Sequence, residues 1–417
     1  MKIRRVVVTG LGALTPIGND VESYWQGLVA GKSGSDFITK FDASKFRTKF
    51  AAEVKDFSPE LYMDKKEARK IDIFSQYALA VAEQAVQDSG LNLESINRNR
   101  AGVIWGSGIG GLKTFLDEVT DFTKGDGTPR FNPFFIPKMI IDLAPGHISI
   151  KYGFRGVNYG TVSACASSSN AIAEAFNYIR YGKADVMITG GSEAVINEAA
   201  VGGFNAMRAL SERNDDPKTA SRPFDKNRDG FLLGEGAGGL ILEEYEHAMA
   251  RGAKIYAEIA GSGMSADAYH ITAPHPEGLG AQLVMANVLE DAEMTVADID
   301  YINVHGTSTP LGDVSELIAI QKVFGDDAYR VNISSTKSMT GHLLGAAGSI
   351  EAIASILAIK NGIVPPTINH FEDDPEIDSR LNLTFNEPQK REIRAAMSNT
   401  FGFGGHNASL IFKKFEA

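Results

Sequence analysis

One order of elements occurs twice along the chain, and this repetition constrains the fold more than any other feature. In the first half, Val157-Asn158 leads through Ser163-Ala164-Cys165 into a helical pattern over residues 171–181 that Gly182 ends. In the second, Val331-Asn332 leads through residues 334–337 and His342 into a helical pattern over 350–360, with Gly362 behind it. Each half also closes alike: Gly234-Glu235-Gly236-Ala237-Gly238-Gly239 feeds the run 240–243, and Phe401-Gly402-Phe403-Gly404-Gly405 feeds 408–412. Strand-like runs at 5–8, 102–105, 186–189, 240–242, 301–304, 331–334 and 409–412 alternate with helical spacing, as at 73–87 before Gly90. Such alternation predicts a mainly parallel α/β protein. The chain therefore reads as two similar halves, 1–252 and 253–417, joined near Arg251-Gly252-Ala253. Equivalent strand ends would then converge on one central site and bring Cys165 near His342.

Composition limits what that site can serve. Against 41 Lys and Arg stand 52 Asp and Glu, a net charge of -11, which argues against broad attraction to nucleic acid or anionic membranes. Any basic partner site must be local. Lys2, Arg4 and Arg5 before Val6-Val7-Val8 imitate an export signal, but Thr9, Gly10, Gly12, Thr15 and Pro16 interrupt the run. It reads as a buried first strand followed by a glycine turn. Residues 343–364 are the longest membrane candidate; Glu351, Lys360 and Asn361 make them a buried helix instead. The expected address is the cytoplasm, and Asn-x-Ser/Thr triplets at Asn332, Asn382 and Asn407 read as chance matches. A single cysteine, Cys165, excludes an internal disulfide framework and a Cys-cluster zinc site.

Two readings fit that cysteine: a small buried hydrophobe, or a nucleophile. Its place between an extended stretch and a helix start would aim the sulfur at free backbone N–H groups and the positive end of the helix dipole, which lowers a thiol pKa. His305 follows a strand and opens His305-Gly306-Thr307-Ser308-Thr309-Pro310, at a carboxyl end where α/β proteins bind ligands. His342 follows Lys337-Ser338-Met339-Thr340-Gly341 and precedes a helix. Two histidines and a cysteine at such junctions point to a Cys-His-His site; His247, His275 and His370 read as structural or surface residues. No His-Glu-x-x-His spacing supports a metal. Gly106-Ser107-Gly108-Ile109-Gly110-Gly111 fits a dinucleotide fingerprint, but Asp126 falls in a loop where ribose binding needs a strand end. These glycines read as close backbone packing beside a pocket. Lys65, Lys66, Arg69 and Lys70 recur at helical spacing and form one basic face, either solvated or docking an acidic partner, with Arg208 as a further contact.

At this point four segments resemble the signatures of the β-ketoacyl-acyl-carrier-protein synthases: residues 162–168 around Cys165, 304–313 around His305, 335–342 from Ser335 to His342, and 399–405 around Phe403. The similarity runs from Arg4 to Lys413 and is greatest to the elongating enzymes of dissociated bacterial fatty acid synthesis. The resemblance implies a thiolase-like, duplicated five-layer α/β/α/β/α fold, usually a homodimer, working on acyl carrier protein without metal or organic cofactor. By the same resemblance Cys165 is the nucleophile, His305 and His342 the pair that serves malonyl decarboxylation, Lys337 the residue orienting them, and Glu351 a carboxylate in the same network. Thr307 and Thr309 would hold the malonyl and pantetheine region, Ile109 would line the acyl pocket, Phe401 would bind substrate and Phe403 would be a gate, the alternative for both phenylalanines being an ordinary place in the core. A second oxyanion hole would come from the N–H groups of Cys165 and Phe403. The face of Lys65, Lys66, Arg69 and Lys70 would dock carrier protein. Rival readings are a polyketide ketosynthase and a non-catalytic chain-length subunit, the latter disfavoured by Cys165 and both histidines; a biosynthetic thiolase would need a second cysteine.

Overall fold

The computed structural model describes residues 3–416 of the chain; Lys2, part of the basic start, lies outside them. Ten strands form one sheet: β1 Val6–Leu14, β2 Ala101–Gly106, β3 Asn158–Thr161, β4 Val186–Glu193, β5 Gly236–Glu244, β6 Ala257–Ala266, β7 Tyr301–Asn303, β8 Asn332–Ser334, β9 Ala395–Gly402 and β10 His406–Lys413. Their order across the sheet is β8-β7-β9-β10-β6-β1-β5-β4-β2-β3. From either outer edge inwards, each half presents its third, second, fourth, fifth and first strand. Directions agree too: the second strand of each half is parallel to its neighbours, and the fifth is antiparallel to both of its own. The halves meet where β1 pairs with β6 through Val6–Ile259, Val7–Glu258 and Val8–Ala257.

Six helices build the layers: α1 Ile73–Ser89, α2 Leu143–Tyr152, α3 Ser167–Arg180, α4 Leu279–Asp291, α5 Pro310–Phe324 and α6 Ala347–Asn361. Helices α3 and α6 occupy the middle, sharing a core with Val8, Leu240, Leu410 and Phe412. Because α6 touches both β5 and β9, it is buried on all sides from Ala347 to Ile359 and mostly apolar, Glu351 being its one buried charge. That is why residues 343–364 resemble a membrane span; among the described residues no helix is long and apolar enough to cross a membrane. Helices α1 and α2 cover the outer face of the first half, α4 and α5 that of the second. The result is the expected α/β/α/β/α arrangement, but the sheet is mixed rather than mainly parallel: five of its nine strand pairings are antiparallel, because the fifth strand of each half and the seam between halves run against their neighbours.

The glycine turn expected after Val8 is absent, because β1 runs on through Gly10 and Gly12 to Leu14. Helix α1 lies so close that a Cβ on Gly10 would stand 2.2 Å from the carbonyl oxygen of Ala85, and one on Gly12 2.1 Å from that of Val81. These glycines admit a helix to a strand. Gly236, Gly238 and Gly239 likewise lie inside β5 rather than ahead of it. Strands β3, β6 and β9 are additional to those read from apolar runs; in β6, Gly261, Ser262, Gly263 and Ser265 break the hydrophobic pattern. Asn332 and Asn407 are buried, out of reach of glycosylation.

Candidate active site

Helix α3 is reached through an elbow. Ala164 takes φ +50°, a left-handed conformation that costs a non-glycine residue about 1 kcal/mol or more. It starts the short 3₁₀ turn Ala164–Ala166, which carries Cys165 and runs straight into α3. The backbone N–H groups of Cys165 and Phe403 favour charge on its sulfur. The second half repeats this geometry: Leu344 takes φ +47°, Leu344–Ala346 is a 3₁₀ turn, and α6 follows. There Gly345 stands where Cys165 stands in the first elbow.

His342 lies just before the second elbow, and its Nε2 is 3.0 Å from the Sγ of Cys165. His305 follows the end of β7, and its ring meets that of His342 edge to face, with centroids 5.2 Å apart at 89°. The sulfur and one nitrogen from each imidazole all lie within 4.8 Å of one another. The duplicated topology thus brings together three residues from distant parts of the chain.

Burial dominates the electrostatics. It pushes the Cys165 thiol up to about 12, outweighing the charge of Lys337 and the two backbone N–H groups that favour the thiolate. This corrects the expectation of a lowered thiol pKa: the helix start is present, but the sulfur is withdrawn from water. Burial, with Lys337 acting in the same direction, holds both imidazoles well below their ordinary value, so both are neutral at pH 7. Among the described residues no group bonds to either Nδ1. Packing orients the rings instead, Phe231 standing 5.4 Å from His342 and Phe401 5.8 Å from His305. Lys337 is 1% exposed and ion-paired with Glu351, equally buried. Burial raises the Glu351 carboxyl to about 7 against the pull of Lys337.

One cavity of about 630 Å³ contains Cys165, His305, His342, Ile109, Thr307, Thr309, Phe401, Phe403 and Arg208 in its lining. The hydroxyls of Thr307 and Thr309 lie 3.1 Å apart. The basic cluster is elsewhere. Lys65–Ala68 is a single helical turn capped by Asp64, so no long basic helix face forms. Lys65 pairs with Glu60 at 3.3 Å and Lys70 with Glu67 at 2.7 Å, while Lys66 and Arg69 remain exposed. Lys65 and Arg69 line a separate groove with Lys113 and Lys138, which Arg208 does not share.

Two carboxylates escaped the sequence reading. Glu316 accepts the N–H groups of His305 at 2.9 Å and Gly306 at 2.8 Å, fixing the turn that presents His305. Glu193 accepts those of Gly108, Ile109 and Gly110, so the glycine run wraps a carboxylate of its own chain; Asp126 sits in an exposed turn. An acid at the seventh residue of a helix, as Glu316 is in α5, or at a strand end, as Glu193 is in β4, carries no sequence signal for such a bond.

A doubled five-strand sheet with a cysteine elbow beside two neutral imidazoles defines a thiolase-like condensing enzyme. Residues 3–248 match the β-ketoacyl synthase N-terminal domain and residues 256–371 its C-terminal domain, and the chain belongs to the β-ketoacyl synthase family. It is 52% identical over 415 residues to a 3-oxoacyl-[acyl-carrier-protein] synthase 2 of Staphylococcus aureus (strain COL), covering 99% of each chain. A solved β-ketoacyl synthase from Burkholderia phymatum STM815 superimposes with a TM-score of 0.92 at 37% identity, over 99% of this chain and 100% of that one. A ketosynthase solved in complex with a type II polyketide acyl-carrier protein gives 0.90 at 34% identity, with the same coverage.

Proposed function

We propose that the chain is a 3-oxoacyl-[acyl-carrier-protein] synthase that elongates fatty acids by decarboxylative Claisen condensation. The observation that carries this reading is the meeting of the Cys165 sulfur with both imidazoles inside a cavity large enough for an acyl chain. In the first half-reaction Cys165 attacks acyl-carrier thioester; the new S–C bond replaces the old one, and the thiol proton goes to the departing carrier thiolate. His342, 3.0 Å from Sγ, is placed to pass that proton on without resting as an imidazolium beside Lys337. In the second, malonyl-carrier protein loses carbon dioxide, its electron pair forms an enolate, and the carbanion attacks the acyl-Cys165 carbon. His305 and His342 donate to the enolate oxygen; losing one such donor costs about 2.7 to 4 kcal/mol of barrier. The released Cys165 thiolate takes one proton from solvent. Lys337 and Glu351 hold the site's field, Thr307 and Thr309 the malonyl and pantetheine region, Ile109 and Phe401 the acyl chain, and Phe403 gates access.

The partner is acyl carrier protein, in keeping with the exposed cations Lys66 and Arg69, the cavity residue Arg208, and the polyketide ketosynthase solved with its own carrier. A homodimer is supported by the outer edge strand β3 and by Val162 just beyond it, 61% exposed. The two halves, 1–252 and 253–417, are read as duplicated units, supported by their equal strand order. A cytoplasmic address accords with the single unpaired cysteine. The test is elongation with purified carrier proteins: Cys165→Ala should abolish it, and normal rates in that variant would overturn the covalent route. His305→Ala should keep acyl transfer better than malonyl decarboxylation. Product analysis separates fatty acid elongation from a polyketide ketosynthase.

A further inference from the structure

The two elbows match in backbone but differ in what faces their N–H groups. At the first, β9 ends in Gly402, where a Cβ would stand 3.1 Å from the amide nitrogen of Cys165. At the second, the equivalent strand β4 ends in Glu193, whose Oε2 accepts from the amide of Gly345 at 2.9 Å. The same oxygen accepts from Gly108 at 2.8 Å, and Oε1 from Ile109 at 3.1 Å, Gly110 at 3.3 Å and the Ser107 hydroxyl at 3.0 Å. This carboxylate is fully buried and held by donors alone. A Cβ would lie 2.9 Å from it on Gly108 and 2.7 Å on Gly345, so the socket is closed around it. One elbow keeps its N–H open; the other is plugged from within.

We propose that Glu193 is a positioning residue for the acyl chain: by bonding residues 108–110 on one side and Gly345 on the other, it locks Ile109 and Leu344 into one wall of the cavity and so sets the chain length accepted. Both side chains line the cavity with Cys165, and Glu193 reaches them through their backbones. Without the carboxylate, the N–H groups of Gly108, Ile109 and Gly345 lose their acceptor and Gly110 keeps only the Ser107 hydroxyl at 3.2 Å, so the two loops must part to find others. The inference rests on the acyl-thioester reading above.

Glu193→Gln keeps the shape but presents an NH₂ to a socket made of donors. Its acylation by short acyl thioesters should stay near the parent rate, while that by the longest accepted chains should change by about tenfold, the scale of one hydrogen bond to a charged group, through KM rather than kcat. Glu193→Asp, which restores the charge, should recover part of the parent profile. An unchanged profile, or equal loss at every length, would overturn the proposal. Should neither variant fold, amide hydrogen exchange in the parent protein decides: the N–H groups of Gly108, Ile109, Gly110 and Gly345 must be protected like those of β4, and exchange at exposed-loop rates refutes the lock. A parent protein that no thioester acylates at Cys165 would instead sink the enzymatic reading, leaving the exchange result to judge the socket by itself.

Discussion

The Nε2 of His342 and the Sγ of Cys165 lie 3.0 Å apart, a neutral imidazole facing a protonated thiol. Burial raises the thiol to about 12 and holds the imidazole well below its ordinary range, so a thiol facing a neutral ring is the ground state.

Alkylation of Cys165 in the free protein should therefore quicken about tenfold per pH unit across the neutral range and keep rising past about pH 9, since only the thiolate reacts. A plateau near neutrality in the pH profile of iodoacetamide inactivation would mean a resting thiolate.

Gly402→Ala should disable acylation and lower stability, the loss of acylation exceeding what the loss of stability explains. The added methyl would stand 3.1 Å from the Cys165 nitrogen and 2.8 Å from the Ser163 carbonyl oxygen, where the proposed oxyanion hole needs open space. Loss of one such donor corresponds to about 100-fold to 1,000-fold. Mass spectrometry of acyl-enzyme formation, with thermal unfolding as a control, measures it; acylation at the parent rate would remove the Cys165 N–H from the mechanism.

The His247 imidazole is raised by its hydrogen bond to Glu243, whose buried carboxylate also binds Arg251 and Thr9. A raised histidine stabilises the fold fully below its unfolded value of about 6.5 and loses that contribution as pH climbs through the folded value. Thermal midpoints should fall between pH 6 and 8 in the parent and fall less in His247→Ala.

Charge reversal at Lys66 and Arg69 should weaken turnover of carrier-bound substrate far more than that of a small thioester mimic, because long-range attraction acts only on a charged partner. The gap should shrink as salt is added. Equal losses on both substrates would return this turn to a solvated surface.

Much of the architecture was legible because duplication leaves a pattern: the helices ending at Gly90 and Gly362 fall where their spacing and glycine caps place them. Glycine misled where it serves approach rather than turning, as at Gly10 and Gly12, since a sequence does not reveal how near a helix comes. Cys165, His305 and His342 could be singled out by their strand-loop junctions. The thiol's protonation could not, because it depends on how much water the folded elbow excludes, and the local helix start argues the other way. Glu193 and Glu316 stayed hidden because their partners are backbone amides, which every residue offers.

The strands that stitch the halves together, β1 and β6, share only a short stretch of pairing. Cys165 belongs to one side of that seam and both imidazoles to the other. Reactivity thus gauges the alignment of two bodies: a slight shear between them would part sulfur from ring while every helix stayed wound.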